Sequence, residues 1–161
     1  MDEILRLLEK DARLTPKEIA KATRKPVAQV EKRIKEYEKK GVILKYKAVI
    51  NREFLEEDGA SVRALIEVKV APEKDQGFDH IAERIYRFPE VASCYLLSGS
   101  YDLLLVVEGK TIQTIANFVA SKLAPLENVR GTVTHFLLKK YKEGGDILKA
   151  AEEPKRMAIS Y

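Results

Sequence analysis

The run TPKEIAKATRKPVAQVEKRIKEYEKKG, residues 15 to 41, carries side chains suited to reading a nucleic acid. At roughly 100° per residue, Lys25, Ala28, Gln29, Lys32, Glu36 and Lys39 share one face of a helix, with Arg33 at its flank. Glutamine can pair with adenine edges, Arg and Lys with guanine, and every cation here can hold a phosphate oxygen. A charged helix face that merely meets solvent gives the same pattern. The DNA reading gains weight from the helix that precedes this one.

That preceding helix has a complete set of start signals. Thr15 stands as N-cap, Pro16 takes the first helical position and Glu18 follows at N3, a capping box with a permitted proline. Ile19 and Ala20 give it an apolar side, and Thr23-Arg24-Lys25 is a polar turn. Pro26 opens the second helix and Gly41 closes it at C′. Val27, Val30, Ile34 and Tyr37 recur at helical spacing and are expected to pack inward. A helix from Asp2 to Lys10, with Ile4, Leu5, Leu7 and Leu8, covers the pair. The three helices form a helix–turn–helix core over residues 1–50, of a kind that fits the major groove of double-stranded DNA. After Gly41, VILKYKAVI reads as a short strand or wing. Its Lys45 and Lys47 either touch the DNA backbone or keep an edge strand soluble.

Charge is distributed unevenly. Residues 1–50 hold 14 Lys+Arg against 8 Asp+Glu, a balance of +6, and residues 51–161 hold 15 against 17, a balance of −2. The basic part attracts a phosphate backbone, and the later acidic part argues against a polyanion site there. The 161 residues allow one domain or two small ones. Cys94 is the sole cysteine, so no intramolecular disulfide forms, and it reads as a buried strand residue. One thiol and an acidic, amphipathic Met1–Asp11 unlike a secretion signal point to a cytoplasmic setting. No apolar run reaches the length of a membrane span, so no membrane partner is expected. His80 and His135 lie far apart, and no Gly-rich phosphate loop, metal-ligand spacing or nucleophile elbow occurs. No catalytic residue, metal or cofactor is therefore expected.

Residues 51–61 begin as a polar, acidic linker, NREFLEEDGA. Beyond it the pattern becomes strand–helix–strand–strand–helix–strand over 62–142: strands at 62–70, 91–97, 102–108 and 129–139, helices at 78–87 and 111–123. Val62, Ala64, Ile66, Val68 and Val70 share a face of the first strand. Phe78, Ile81, Ala82 and Ile85 are expected inward on one helix, and Ile112, Ile115, Ala116, Val119 and Leu123 on the other. This order is the split βαβ, ferredoxin-like arrangement, so the chain is α+β overall: a winged helix–turn–helix followed by a βαββαβ domain. Both helices cover one face of such a sheet. Yet DLLLVVE is apolar on both faces, Leu103, Leu105 and Val107 on one side, Leu104 and Val106 on the other. A strand apolar on both sides expects cover on both. A second copy of the chain is the simplest cover, and a dimer also suits paired DNA half-sites.

The run from Leu7 through Ile50 resembles the helix–turn–helix of the leucine-responsive/asparagine-activation (Lrp/AsnC) regulators. FPEVASCYLLSGSYDLLLVVEG, followed by LAPLENVRGTVTHFLLKKYK, resembles their effector-binding and oligomerisation domain, with the Gly-Ser-Tyr-Asp hairpin as the more specific marker. The likeness covers about residues 2 to 142. It implies a transcriptional regulator, dimeric and often octameric, that senses an amino acid or related small molecule between protomers near that hairpin. Carried onto this sequence, the effector site takes Gly99, Tyr101 and Asp102 from the hairpin, and Gly131, Thr132 and Thr134 from the last strand. Glycine permits close backbone approach, Asp102 can receive an α-ammonium and threonine hydroxyls can meet a carboxylate. Turn chemistry alone also accounts for Gly99 and Asp102, and strand preference for the threonines.

Three departures from the family pattern stand out. Lys25-Pro26 replaces a serine N-cap, Gly109-Lys110-Thr111 replaces an aspartate after the third strand, and residues 143–161 extend past the usual end. The KEGGD turn, the acidic-then-basic EEPKR and the RMAISY end of that extension are read as able to add a strand. Two other functions compete with a ligand-responsive regulator: an architectural DNA-binding protein whose second domain only oligomerises, and an RNA-binding module. The RNA reading requires exposed aromatics on the inner strands. With the second and third strands taken as inner, Tyr95 is the only one.

Overall fold

Capping chemistry sets the limits of the first three helices. The computed structural model describes residues 1–51, 61–72 and 77–148, and the chain divides into two compact units, Met1–Ile50 and Asn51–Tyr161. In the first unit, α1 spans Glu3–Lys10, α2 Pro16–Thr23 and α3 Val27–Lys39. The Asp2 carboxylate caps α1 by accepting from the Ile4 N–H. The capping box of α2 is formed: Glu18 N–H donates to Thr15 Oγ1 at 3.3 Å and Thr15 N–H to Glu18 Oε2 at 2.8 Å. Arg24 ends α2 in the left-handed region at φ 56°, a conformation that costs a side-chain-bearing residue. Gly41 takes φ +69° after α3, with its N–H on the Glu38 carbonyl and the Val42 N–H on that of Tyr37. These two bonds are a Schellman cap, which requires the glycine.

Ile4, Leu8, Ile19, Ala20 and Val30 form the core of this unit, with Leu7, Leu14, Val27, Ile34 and Ile43 packed against it. Of the short strand or wing read at 42–50, no strand is formed; the segment has no regular structure, and Val42, Leu44, Tyr46, Val49 and Ile50 are exposed. β-branched residues suit a strand, but a strand needs a paired backbone, and none lies alongside among the described residues.

In the second unit, β1 is Val62–Val70, α4 Asp79–Tyr86, β2 Val91–Leu96, β3 Leu103–Gly109, α5 Ile112–Phe118 and β4 Val129–Phe136. The four strands make one antiparallel sheet in the order β2-β3-β1-β4, the ferredoxin-like topology. Ala64, Ile66, Val68, Val70, Leu103, Leu105 and Val107 are buried on the helix side with Ile81 and Ile85 of α4 and Ile115 and Phe118 of α5. Burying each large side chain there contributes about 1.5–3 kcal/mol. Gly109 fits beneath α5: a Cβ there would sit 3.0 Å from Ile115 Cγ1.

The second helix differs from expectation in two ways. Ile112 and Ala116 are exposed, and Phe118 is buried instead, edge-on to Phe88 with centroids 5.5 Å apart. Residues Val119–Leu123 then continue as a π turn, in which the Ser121 hydroxyl takes the Asn117 carbonyl. The wider turn still delivers Leu123, fully buried, to the core.

Strands β5 (Lys142–Glu143) and β6 (Asp146–Ile147) form a hairpin at Gly144-Gly145. Arg63 of β1 ties it to the sheet, donating to Glu143 at 3.0 Å and to Glu108 of β3. The KEGGD turn thus forms a hairpin of its own, separate from the four-stranded sheet. The EEPKR run, the RMAISY end and nearly all of the linker lie outside the described residues.

Candidate functional site

Pro26 starts α3 without a side-chain cap, and the inward stripe holds the helix down: Val30 and Tyr37 are buried and Val27 and Ile34 pack on the core. This orientation leaves Ala28, Gln29, Lys32 and Lys39 exposed on the outer face. Lys25 and Arg33 are engaged with the carboxylate of Asp2. Tyr37 donates its hydroxyl to Asp2 Oδ2 at 2.5 Å, and Arg33 Nε donates to the same hydroxyl at 3.0 Å. Arg33 also lies 3.5 Å from Asp2 Oδ2, bonds Glu36 at 3.0 Å and stacks 4.6 Å from the Tyr37 ring centre. Lys25 Nζ is 3.9 Å from Asp2 Oδ1.

The Tyr37 hydroxyl holds the Asp2 carboxyl below the ordinary carboxylate range, helped by the Ile4 N–H, Lys25 and Arg33. The same bond raises the Tyr37 phenol. The expected face therefore divides into an outward group, Gln29, Lys32 and Lys39, and a latched pair, Lys25 and Arg33. Sequence reasoning missed Asp2, whose partners lie more than twenty positions away; its role as a cap was the only local signal.

The second candidate site lies at the end of the sheet where β2 turns into β3. The Asp102 N–H donates to the Val68 carbonyl at 3.1 Å and the Asp102 carbonyl accepts from Leu97 N–H at 2.8 Å. Its carboxylate accepts from Val70 N–H at 2.9 Å and from Lys69 Nζ at 3.2 Å. The Val70 N–H, then Lys69, holds this carboxyl below its ordinary range. Gly99 and Gly131 have no atom within 4 Å of an added Cβ, and neither has a positive φ. Neither glycine is thus demanded by packing or by a left-handed turn.

Register decides which expected residues meet. Gly131 pairs with Lys69 on the helix-free face, beside Asp102. Thr132 pairs with Val68 and Thr134 with Ile66, whose side chains are buried on the helix side. The structure therefore groups Gly131 with the hairpin end and puts the two threonines on the opposite face, half-buried at an edge strand.

The helix-free face carries Tyr95, Leu104, Glu67 and Val133 in one row and Ser93, Val106, Leu65 and His135 in the next. His135 Nε2 lies 3.6 Å from Glu67 Oε2. Cys94 pairs with Leu105 on the helix side, and burial pushes its thiol up. The inner strands are β3 and β1, so Tyr95 stands on an edge strand and the inner pair bears no aromatic. That placement corrects the assumption that the second strand is inner, and it weakens the RNA reading further.

Among the described residues no three potential metal ligands cluster, and no helix is long and apolar enough to cross a membrane.

Comparison with known proteins agrees with this architecture. Residues 63–147 match the family described as Lrp/AsnC ligand binding domain, and residues 3–43 match winged helix-turn-helix DNA-binding. The first match includes the β5–β6 hairpin, so the family likeness runs past residue 142. An uncharacterised HTH-type transcriptional regulator of Bacillus subtilis, YugG, is 44% identical over 159 residues, covering 98% of this chain and 95% of that protein. An HTH-type transcriptional regulator of Pyrococcus furiosus is 32% identical, over 88% and 89% of the two chains. A Neisseria meningitidis transcriptional regulator solved with L-methionine superposes with TM-score 0.69 at 27% identity, over 88% of this chain and 89% of that one. The feast or famine regulatory protein of M. tuberculosis, also solved with L-methionine, gives 0.71 at 25%, over 91% and 95%. A capped helix–turn–helix, a βαββαβ sheet and relatives aligned over nearly their whole lengths leave one assignment: this chain belongs to the Lrp/AsnC family of HTH-type transcriptional regulators.

Proposed function

We propose that the protein is a sequence-specific regulator that binds double-stranded DNA through α3, acts as a homodimer or a larger multiple such as an octamer, and responds to an amino acid. One observation carries the DNA assignment. A helix–turn–helix held by a capping box and a Schellman cap presents Gln29, Lys32 and Lys39 outward. Gln29 and Lys32, with the small Ala28 beside them, face base edges and Lys39 holds a phosphate, while the flanking Lys25 and Arg33 reach phosphates only on leaving Asp2. Residues 1–50 form the DNA-binding domain, 51–61 the linker and 62–142 the effector-binding and oligomerisation domain, followed by the 143–161 extension.

Assembly is supported by the helix-free face, where Leu65, Leu104 and Val106 are half-buried and Val133 and Tyr95 exposed in a single chain. Apolar rows of this kind require cover. The effector reading draws on Gly99, Tyr101, Asp102 and Gly131 at the hairpin end, and on the L-methionine held by two solved relatives. Thr132 and Thr134 enter it only if the ligand also reaches the helix side of β4.

Selection from a randomised duplex library tests the DNA assignment: wild-type protein enriches a defined site, and a variant lacking the Gln29 and Lys32 side chains does not. A screen of the common amino acids by melting temperature tests the effector. No shift from any of them favours the architectural alternative, a DNA-binding protein whose second domain only assembles.

A further inference from the structure

We propose that Lys69 is a ligand-binding residue of the effector site: it takes the α-carboxylate of a zwitterionic amino acid whose α-ammonium is held by Asp102. The inference rests on the effector reading above and adds a residue, a charge role and a ligand orientation to it.

Lys69 lies on β1 between the buried Val68 and Val70, at an irregularity in its register with β4. Its ammonium stands 3.2 Å from Asp102 Oδ1. The other carboxylate oxygen is already anchored, accepting the Val70 N–H at 2.9 Å. Asp102 is therefore fixed in place and largely buried, at 16% side-chain exposure, whereas Lys69 at 47% can swing. A fixed anion facing a movable cation is complementary to a zwitterion. The incoming ammonium takes Oδ1, Lys69 moves aside, and its ammonium then meets the incoming carboxylate. One ion pair is exchanged for two, and no charge is left without a partner.

The surroundings are left open for such a ligand. Gly131 faces Lys69 across the β1–β4 ladder, and Gly99 lies in the same hairpin as Asp102. No atom approaches within 4 Å of a Cβ at either position. A glycine inside a strand weakens it, and it is explained where another group approaches the backbone closely. The pair lies on the helix-free face, the face proposed to be covered by a second copy, so a ligand there meets the assembly surface.

The test uses the full chain, wild type, Lys69→Met and Lys69→Arg. Melting temperature is read with each common L-amino acid at millimolar concentration. The amino acid giving the largest wild-type shift is then titrated beside its own α-amide, which keeps the ammonium but lacks the carboxylate charge. Wild type and Lys69→Arg are expected to favour the acid over the amide by about tenfold or more, the worth of a charge-assisted bond. Lys69→Met is expected to bind the two alike, at the level of the wild-type amide complex. Equal preference for the acid in wild type and Lys69→Met overturns the proposal while leaving the effector reading intact. Loss of both ligands in Lys69→Met also overturns it, since Lys69 then acts only by holding Asp102. If no amino acid shifts wild type, the effector reading itself fails and the proposal fails with it.

Discussion

The Tyr37 hydroxyl donates to the Asp2 carboxylate at 2.5 Å, joining the residue that caps α1 to the inner face of α3. Arg33 closes the triangle, bonded to that hydroxyl and 3.5 Å from the same carboxylate oxygen. One acidic side chain thereby caps a helix, positions the helix assigned to DNA and neutralises cations at its flank.

Asp2→Asn keeps one oxygen to cap α1 but puts an amide NH2 where the other oxygen accepts the Tyr37 hydroxyl, so the cap is retained and that bond as it stands is lost, while Asp2→Ala also removes the cap at a cost of about 1 kcal/mol. With the charge gone, Arg33 and Lys25 become available to phosphates. Affinity for duplex DNA is expected to rise several-fold, and the dependence of log affinity on log salt to steepen by about one. Anisotropy titrations at several salt concentrations check this; an unchanged affinity and slope would show that Arg33 stays latched.

Stability in acid follows from Asp2 and Asp102. Both carboxyls lie below 3.8 in the folded chain, so as pH falls the unfolded chain takes up protons first. Their contribution is whole above that value and is lost as pH drops below it towards the folded values. Urea midpoints should fall through this window, and Asp102→Asn should flatten the fall. A variant as acid-sensitive as wild type would remove Asp102 from the explanation.

Neighbouring residues of β3 separate folding from assembly. Leu105 is fully buried against the helices, so Leu105→Ala is expected to cost about 2–5 kcal/mol and Leu105→Lys to prevent folding. Val106 faces the other way, in the row with Ser93, Leu65 and His135. Val106→Lys should fold and sediment as a monomer. A Val106→Lys protein that sediments like wild type would place the assembly surface elsewhere.

Gly109 permits the close approach of α5 to β3. A Cβ at that position meets Ile115 Cγ1 at 3.0 Å and Thr114 Cβ at 3.4 Å, and Ile115 is itself buried. Gly109→Val is expected to destabilise by about 1–3 kcal/mol, measured by chemical denaturation. Wild-type stability would show that α5 shifts freely.

Features set by local chemistry were legible in the sequence. The Thr15–Glu18 box and the Gly41 cap each depend on residues within a few positions, and both form as read. The two-sided apolar pattern of β3 also gave its faces correctly, because strand alternation has no other solution. What failed depended on distant partners. A strand at 42–50 needs a neighbouring backbone, and the sides of Ile112, Ala116 and Phe118 depend on where the sheet ends beneath α5. The candidate sites follow the same rule. The exposure of Gln29 and Lys32 was readable from period alone. The Asp2–Tyr37 bond spans 35 positions and the Lys69–Asp102 pair 33, and no sequence period announces either. Thr132 and Thr134 were grouped with Gly131 through the family likeness, although strand alternation already puts them on the other face; the register shows that this is the helix side.

The central claim is that α3 reads duplex DNA, and the most direct test is a mobility shift on the duplex that wild type selects from a random library. Wild type, Gln29→Ala, Lys32→Ala and the double variant are compared on that duplex and on an unrelated one of equal length. The account predicts a loss of about 1–3 kcal/mol for each base contact, confined to the selected duplex, and a weaker, uniform loss for a phosphate contact. Wild-type binding by the double variant on both duplexes would contradict it.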